Sequence, residues 1–363
     1  MSEAHARSAD GKRSEGPPCY GALDLGTNNC RLLIATPAGK GFRVVESFSR
    51  IVRLGDGLSR TGRLDAAAMD RAEAALAICA DKLRRRQVTR LSAVATQACR
   101  AAANGPEFIA RVEQRTGLRL RIISPEQEAR LSVAGCLNLL DRDASAALVV
   151  DVGGGSTEMS WVDLSDRTLD FQAGRFSPER LPVRAWLSVP IGVVTLAEIF
   201  PEQPPASALW FRAMVDHVLT RIEAFTDADD LRPLFIAGRA HLVGTSGAIT
   251  SLAGLHLGLR RYERSRVDGL WMRDSECAAV AEGLMALDPA ERAAQPCIGP
   301  ERADLVLAGA AILQAVQEAW PCRRVRVADR GLREGLLLTL MAEGPHATHR
   351  HRKASADSAD VVR

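Results

Sequence analysis

Asp24-Leu25-Gly26-Thr27-Asn28-Asn29 and Asp151-Val152-Gly153-Gly154-Gly155-Ser156-Thr157-Glu158 are the two stretches that decide the fold. Each follows a short apolar run and leads into another strand-like run. Glycine lets the backbone turn tightly and aim several N–H groups into one concavity, to which Thr and Ser hydroxyls add donors, and such a nest suits phosphate. Either turn alone would need no further purpose than closing a hairpin. Two of them, each opened by aspartate, imply an internal duplication: two lobes, each beginning with a β-hairpin. Rossmann and Walker loops pass from strand to helix, whereas a strand follows here. Walker A also needs a Gly-Lys-Ser/Thr, and no lysine occurs between Lys82 and Lys353.

YGALDLG, RLLIATP and GFRVVESFSRIVRL alternate as a meander of three strands. Asp65 to Arg85 spaces apolar residues three and four apart and predicts a helix, followed by a strand near LSAVAT. PEFIARVEQRTG predicts another helix ended by Gly117, and RLRIIS a strand. Ser124-Pro125-Glu126-Gln127 is a capping box with proline at the first helical position, so a helix begins there and continues through GCLNLL. A third glycine element, Gly238 to Gly254, runs from AHLVGTS into a helix starting near Gly247, whose free N–H groups add an anion site. GLREGLLLTLMAEG predicts a terminal helix. The lobes are expected at 18–143 and 144–324, with 325–344 packing back on the first. Residues 1–17 and 345–363 lack apolar periodicity and read as disordered ends.

The 363 residues, 47% of them apolar, suit two domains better than one. A net charge of +3, carried almost wholly by arginine, gives no reason to infer a nucleic-acid partner. The eight cysteines form no C-x-x-C pair and no signal-like segment precedes them, so free thiols in a cytoplasmic setting are expected. No apolar run reaches the roughly 18 residues of a membrane span, so no membrane partner is expected. His217, His241 and His256 show no metal spacing, and no G-x-S-x-G elbow exists.

DLGTNNCRLLI, VVDVGGGSTE and LVGTSGAITSLA resemble the two phosphate motifs and the nucleotide-side motif of the actin-like superfamily. IISPEQEARL before the second turn and DRGLREGLLL late in the chain make the whole similar to the exopolyphosphatase/guanosine pentaphosphate phosphatase family over roughly residues 20 to 340. The resemblance implies an α/β fold of two actin-like (ribonuclease H-like) lobes with an active-site cleft between them. It implies Mg²⁺-dependent release of the terminal phosphate of inorganic polyphosphate or guanosine pentaphosphate. Glu128, in EARL, matches the family's catalytic base, and Arg100 its phosphate-facing arginine; Arg53 is a weaker candidate of the latter kind. Gly26, Thr27, Asn28, Gly153, Gly154, Gly155, Ser156, Thr157, Gly244, Ser246 and Gly247 are the expected phosphate contacts, and Asp24, Asp151 and Glu158 the expected metal ligands. Where the family reads glycine and then an acidic pair before Ala-Arg-Leu, this chain has Pro125 and Gln127. Longer members carry a further C-terminal helical domain, which implies short or medium polyphosphate as the polymer substrate here. An actin-like sugar kinase and a non-catalytic phosphate or alarmone sensor are the rival readings, and a homodimer stays open.

Overall fold

The computed structural model describes residues 17–39, 41–166, 178–223 and 225–343. The ends expected to be disordered lie outside them, apart from Pro17. In chain order the first half gives β1 (Tyr20–Leu25), β2 (Asn29–Ala38), β3 (Gly41–Ile51), α1 (Leu58–Thr61), α2 (Ala66–Arg85), β4 (Arg90–Ala95), α3 (Gln97–Ala101), α4 (Gly105–Thr116), β5 (Arg121–Ile122) and α5 (Pro125–Cys136). The second half gives β6 (Ala146–Val152), β7 (Thr157–Asp163), β8 (Val183–Val189), α6 (Val193–Ile199), α7 (Ala208–Ile222), α8 (Leu231–Ile236), β9 (Ala240–Thr245) and α9 (Gly247–His256). It continues with α10 (Arg264–Val267), β10 (Trp271–Arg273), α11 (Asp274–Met285), α12 (Pro289–Ala293), α13 (Val306–Ala319), β11 (Arg324–Ala328) and α14 (Leu332–Ala342).

Two sheets repeat one plan. The first runs β3-β2-β1-β4-β5 and the second β10-β11-β9-β6-β7-β8. In each, a meander of three antiparallel strands is extended by two parallel strands on the other side of its first strand, and the second sheet adds β10 antiparallel at its edge. This duplicated α/β architecture is the two-lobed actin-like fold. β11 pairs with β9 in the second sheet, so the segment that returns to the first lobe starts with α14 and not at residue 325. No described helix is long and apolar enough to cross a membrane.

Helices α5 and α14 join the lobes, and burial explains why. Leu332, Leu336, Leu337 and Leu340 of α14 pack with Tyr20, Ala22, Leu33 and Val94 of the first sheet and with Leu131 of α5. Each such leucine contributes roughly 1.5–3 kcal/mol of apolar burial. Further along α5, Val133, Ala134 and Cys136 pack instead with Ala147, Val149, Val162 and Val243 of the second sheet. The helices cross at glycines. A Cβ on Gly135 would run into the carbonyl oxygen of Gly331, and one on Gly335 into that of Leu131. The start of α5 is fixed by its capping box: Ser124 Oγ accepts the Gln127 N–H at 3.2 Å, and Gln127 Oε1 accepts the Ser124 N–H at 3.3 Å. Glutamine does here what an acid would do at that position.

Candidate active site

The two glycine turns close identically. Gly26 N–H donates to the Asn29 carbonyl at 2.9 Å, and Gly153 N–H to the Ser156 carbonyl at 2.9 Å. Strand register then sets Arg31 opposite Asp24 and Glu158 opposite Asp151. Directly opposed residues of an antiparallel pair project from the same face, so one hairpin offers an acid with a guanidinium and the other offers two acids. The turns also meet each other. A Cβ on Gly154 would lie 3.0 Å from the Asn28 backbone nitrogen, and one on Gly155 2.6 Å from Thr27 Oγ1. Glycine is therefore required by the close approach of two lobes as well as by the turn itself. α6 starts on the second turn, with the Val193 and Val194 N–H groups donating to the Gly153 and Gly154 carbonyls at 3.0 and 2.8 Å.

Between the lobes lies an open cleft of about 820 Å³. Its walls include Asp24, Gly26, Thr27, Asn28, Glu128, Asp151, Gly153, Gly154, Gly155, Ser156, Glu158, Ser246 and Gly247, all anticipated from sequence. Besides Arg53, three anticipated residues are absent from the walls. Thr157 spends its hydroxyl on the Ile191 carbonyl at 2.7 Å. Gly244 is a mid-strand residue whose missing side chain makes room for Ile249 and Val325. Arg100 stands behind the cleft, donating from Nη1 to Glu128 Oε2 at 3.1 Å and to the Ile123 carbonyl at 2.7 Å, and from Nη2 to Gln97 Oε1 at 2.7 Å. It meets the candidate base and not the cleft space.

Seven carboxylates line the cleft, and four of them, Asp24, Glu128, Asp151 and Glu158, come from the two hairpins and the start of α5. Burial pushes Glu128 well above the usual glutamate range, Glu158 pushes it further, and the Arg100 guanidinium pulls it back. Burial and the neighbouring Asp151 raise Glu158 to about 7, against the pull of the Ser156 and Ser188 hydroxyls. Burial raises Asp24 to about 6, with Arg31 and Arg333 opposing. Asp151 is raised by burial while Ser132 Oγ donates to its Oδ2 at 2.5 Å. Glu126, one helical turn from Arg130, pairs with it at 3.0 Å outside this cluster.

Among the described residues, no three or more His, Cys, Asp or Glu side chains converge to hold a metal by themselves. Asp24, Asp151 and Glu158 thus form no closed protein cage. The donor chemistry nevertheless fits Mg²⁺. Mutually repelling buried carboxylates have raised proton affinities, so a bound cation would favour their charged forms, and the Asn28 and Asn29 side-chain oxygens are buried without a partner. Mg²⁺ takes one or two carboxylates, keeps waters and completes its shell with phosphate oxygens.

Sequence reasoning passed over five arginines of the cleft wall, Arg31, Arg264, Arg302, Arg330 and Arg333. Arg31 had a findable signal: it occupies in the first hairpin the position that Glu158 occupies in the second. Ser246 has the opposite history. Expected as a phosphate contact, it also holds φ 97°, a conformation rare for any residue but glycine, and its Oγ is buried without a partner.

A duplicated hairpin whose two glycine turns close on one acidic cleft defines the actin-like class of phosphate-handling α/β proteins. Within that class, the sequence model of the Ppx/GppA phosphatase family matches residues 33–343, and the chain belongs to that family. A guanosine-5'-triphosphate,3'-diphosphate pyrophosphatase of Aeromonas hydrophila is 28% identical over 339 residues, covering 93% of this chain and 62% of that protein. The chain thus spans less than two thirds of the length of the curated relatives it matches. Among solved structures, an exopolyphosphatase-like protein is similar with 28% identity and a TM-score of 0.78, over 89% of this chain and 98% of that one. The Aquifex aeolicus Ppx/GppA family member gives 27% identity and a TM-score of 0.71, over 91% and 99%.

Proposed function

We propose that this chain is a phosphohydrolase that releases the terminal phosphate of inorganic polyphosphate or of guanosine pentaphosphate by attack of water. The observation that carries the reading is Glu128: a buried carboxylate at the start of the interlobe helix, on the wall of a cleft bounded by paired glycine turns, with Arg100 at its back. Burial and neighbouring acids raise its proton affinity well above the usual glutamate range, and the Arg100 guanidinium pulls the other way, favouring the carboxylate that a general base needs. In this scheme Glu128 takes a proton from water as the water oxygen bonds to the terminal phosphorus, and the bridging phosphoanhydride bond breaks toward the shortened chain.

Ser156, Ser246 and the turn N–H groups, with Arg31 and Arg333 beyond them, receive the phosphate oxygens. Asp151 and Glu158, held by Ser132 and by Ser188 at 2.8 Å, would carry Mg²⁺, which offsets phosphate charge when bound. The lobes act as units 18–143 and 144–331, bridged by α5 and α14. Eight free cysteines support a cytoplasmic setting. A sugar kinase would need a second, sugar-shaped pocket and an aspartate base beside it, and a buried Glu128 on the cleft wall argues against a binding-only sensor. The test is phosphate release from polyphosphate, guanosine pentaphosphate and ATP side by side, with and without Mg²⁺. Release from neither of the first two in the presence of Mg²⁺ would overturn the proposal.

A further inference from the structure

The loop after β3 ties the first glycine turn to the opposite lobe. Val52 and Arg53 N–H groups both donate to the Asn28 carbonyl, at 2.8 and 3.0 Å, and Gly55 N–H donates to the Thr27 carbonyl at 2.9 Å. From the same loop the Arg53 guanidinium crosses to the second lobe. Its Nη1 and Nη2 donate to the two carboxylate oxygens of Asp304 at 3.0 Å each, and Nη2 also donates to the Glu301 carbonyl at 3.1 Å. A few residues on, Glu198 accepts the Gly57 N–H at 2.7 Å and the Ser59 hydroxyl. Glu198 belongs to α6, whose first N–H groups hold the carbonyls of the second turn. An unbroken run of contacts therefore leads from one phosphate turn to the other.

Arg53 is no phosphate arginine, contrary to the expectation from sequence, because its donor fork is occupied by Asp304 and Glu301. Its backbone sits at φ 46°, in the left-handed region where glycine would be at ease. Side chains of Arg53 and Asp304 are 32% and 52% exposed, and ion pairs so exposed do little for stability. A strained backbone carrying a bidentate fork makes sense where orientation matters more than stability.

We propose that Arg53 is a positioning residue: pinned to Asp304, it sets the separation of the two phosphate turns and hence the fit of a terminal phosphate between them. This rests on the phosphohydrolase reading above and assigns a residue to it that touches no substrate. The test uses the full chain with Arg53→Ala, Asp304→Ala, the double variant, and the exchange Arg53→Asp with Asp304→Arg, aspartate being tolerant of left-handed backbone. Three readouts are taken: Mg²⁺-dependent hydrolysis of tripolyphosphate, its binding by calorimetry, and the distance between one spin label on each lobe. Each single variant should raise KM about tenfold or more with kcat nearly unchanged, and weaken binding alike. Each should also broaden the interlobe distance, with thermal midpoints within a few degrees of the parent. The double variant should be no worse than either single one, and the exchange should recover most of the loss. Unchanged KM, binding and distance in the single variants would overturn the proposal, as would additive losses in the double variant. If the parent protein hydrolyses nothing, the functional reading fails on its own, and the binding and distance readouts still decide the role of Arg53.

Discussion

Arg100 Nη1 donates to Glu128 Oε2 at 3.1 Å, so the arginine expected to grip phosphate instead grips the candidate base. The consequence for proton affinity is definite in sign. Arg100 lowers that of Glu128, opposing burial and the charge of Glu158. Replacing Arg100 by alanine should move the acid limb of the turnover profile to higher pH, with substrate affinity nearly unchanged. A phosphate-binding arginine would do the reverse, raising KM and leaving the limb in place. Turnover measured from pH 5 to 9 at saturating and limiting substrate separates the two.

Glu128→Gln should lower turnover by about two to four orders of magnitude, the range for loss of a positioned general base, while tripolyphosphate binding persists. The fold should tolerate it, because Arg100 keeps its contacts to Gln97 and the Ile123 carbonyl at 2.7 Å each. Near-normal turnover in a folded variant would remove Glu128 from the chemistry.

Glu158 carries a prediction about stability. Its proton affinity rises from the ordinary 4.5 to about 7 on folding, so between those values the folded state binds more protons than the unfolded one. Stability of the metal-free protein should therefore fall as pH climbs through that window, by up to ~3 kcal/mol from this group alone. Adding Mg²⁺ at pH 8 should restore stability, and Glu158→Gln should flatten the slope while raising the Mg²⁺ needed for half activity. Urea melts across the window, in chelator and in Mg²⁺, provide the check; a slope that Glu158→Gln leaves unaltered would contradict it.

The crossing of α5 and α14 should be intolerant of a single methyl. At Gly335 a Cβ would meet the Leu131 backbone, which cannot swing aside as a side chain can. Gly335→Ala should cost about 1–3 kcal/mol of stability. It should also depress turnover, because Leu131 lies one helical turn beyond Glu128. Gly283→Ala in α11, with no atom within 4 Å of the added Cβ, is the control and should be neutral or mildly stabilising. Equal effects at the two positions would mean that the crossing is looser than described.

The duplication was legible because hairpins and glycine turns are local: Gly26 and Gly153 sit where the residue pattern placed them, and the capping box at Ser124 does what its composition says. Side-chain direction was the harder part. Thr157 and Gly244 lie within glycine-rich motifs, yet strand alternation turns one hydroxyl to a carbonyl and buries the other position in the sheet. Arg100 and Arg53 each chose an acid distant in sequence, Glu128 and Asp304, and no local pattern encodes such a choice. α13 in the second lobe was likewise unread, since a helix buried on most of its surface loses the polar face that periodicity needs.

In the proposed mechanism water, activated by Glu128, attacks the terminal phosphorus. Hydrolysis of guanosine pentaphosphate and of tripolyphosphate in ¹⁸O-water tests it most directly. Each released orthophosphate should carry one ¹⁸O and the shortened product none, with the labelled release nearly abolished by Glu128→Gln. Label found in the shortened product, or labelled release undiminished in that variant, would contradict it.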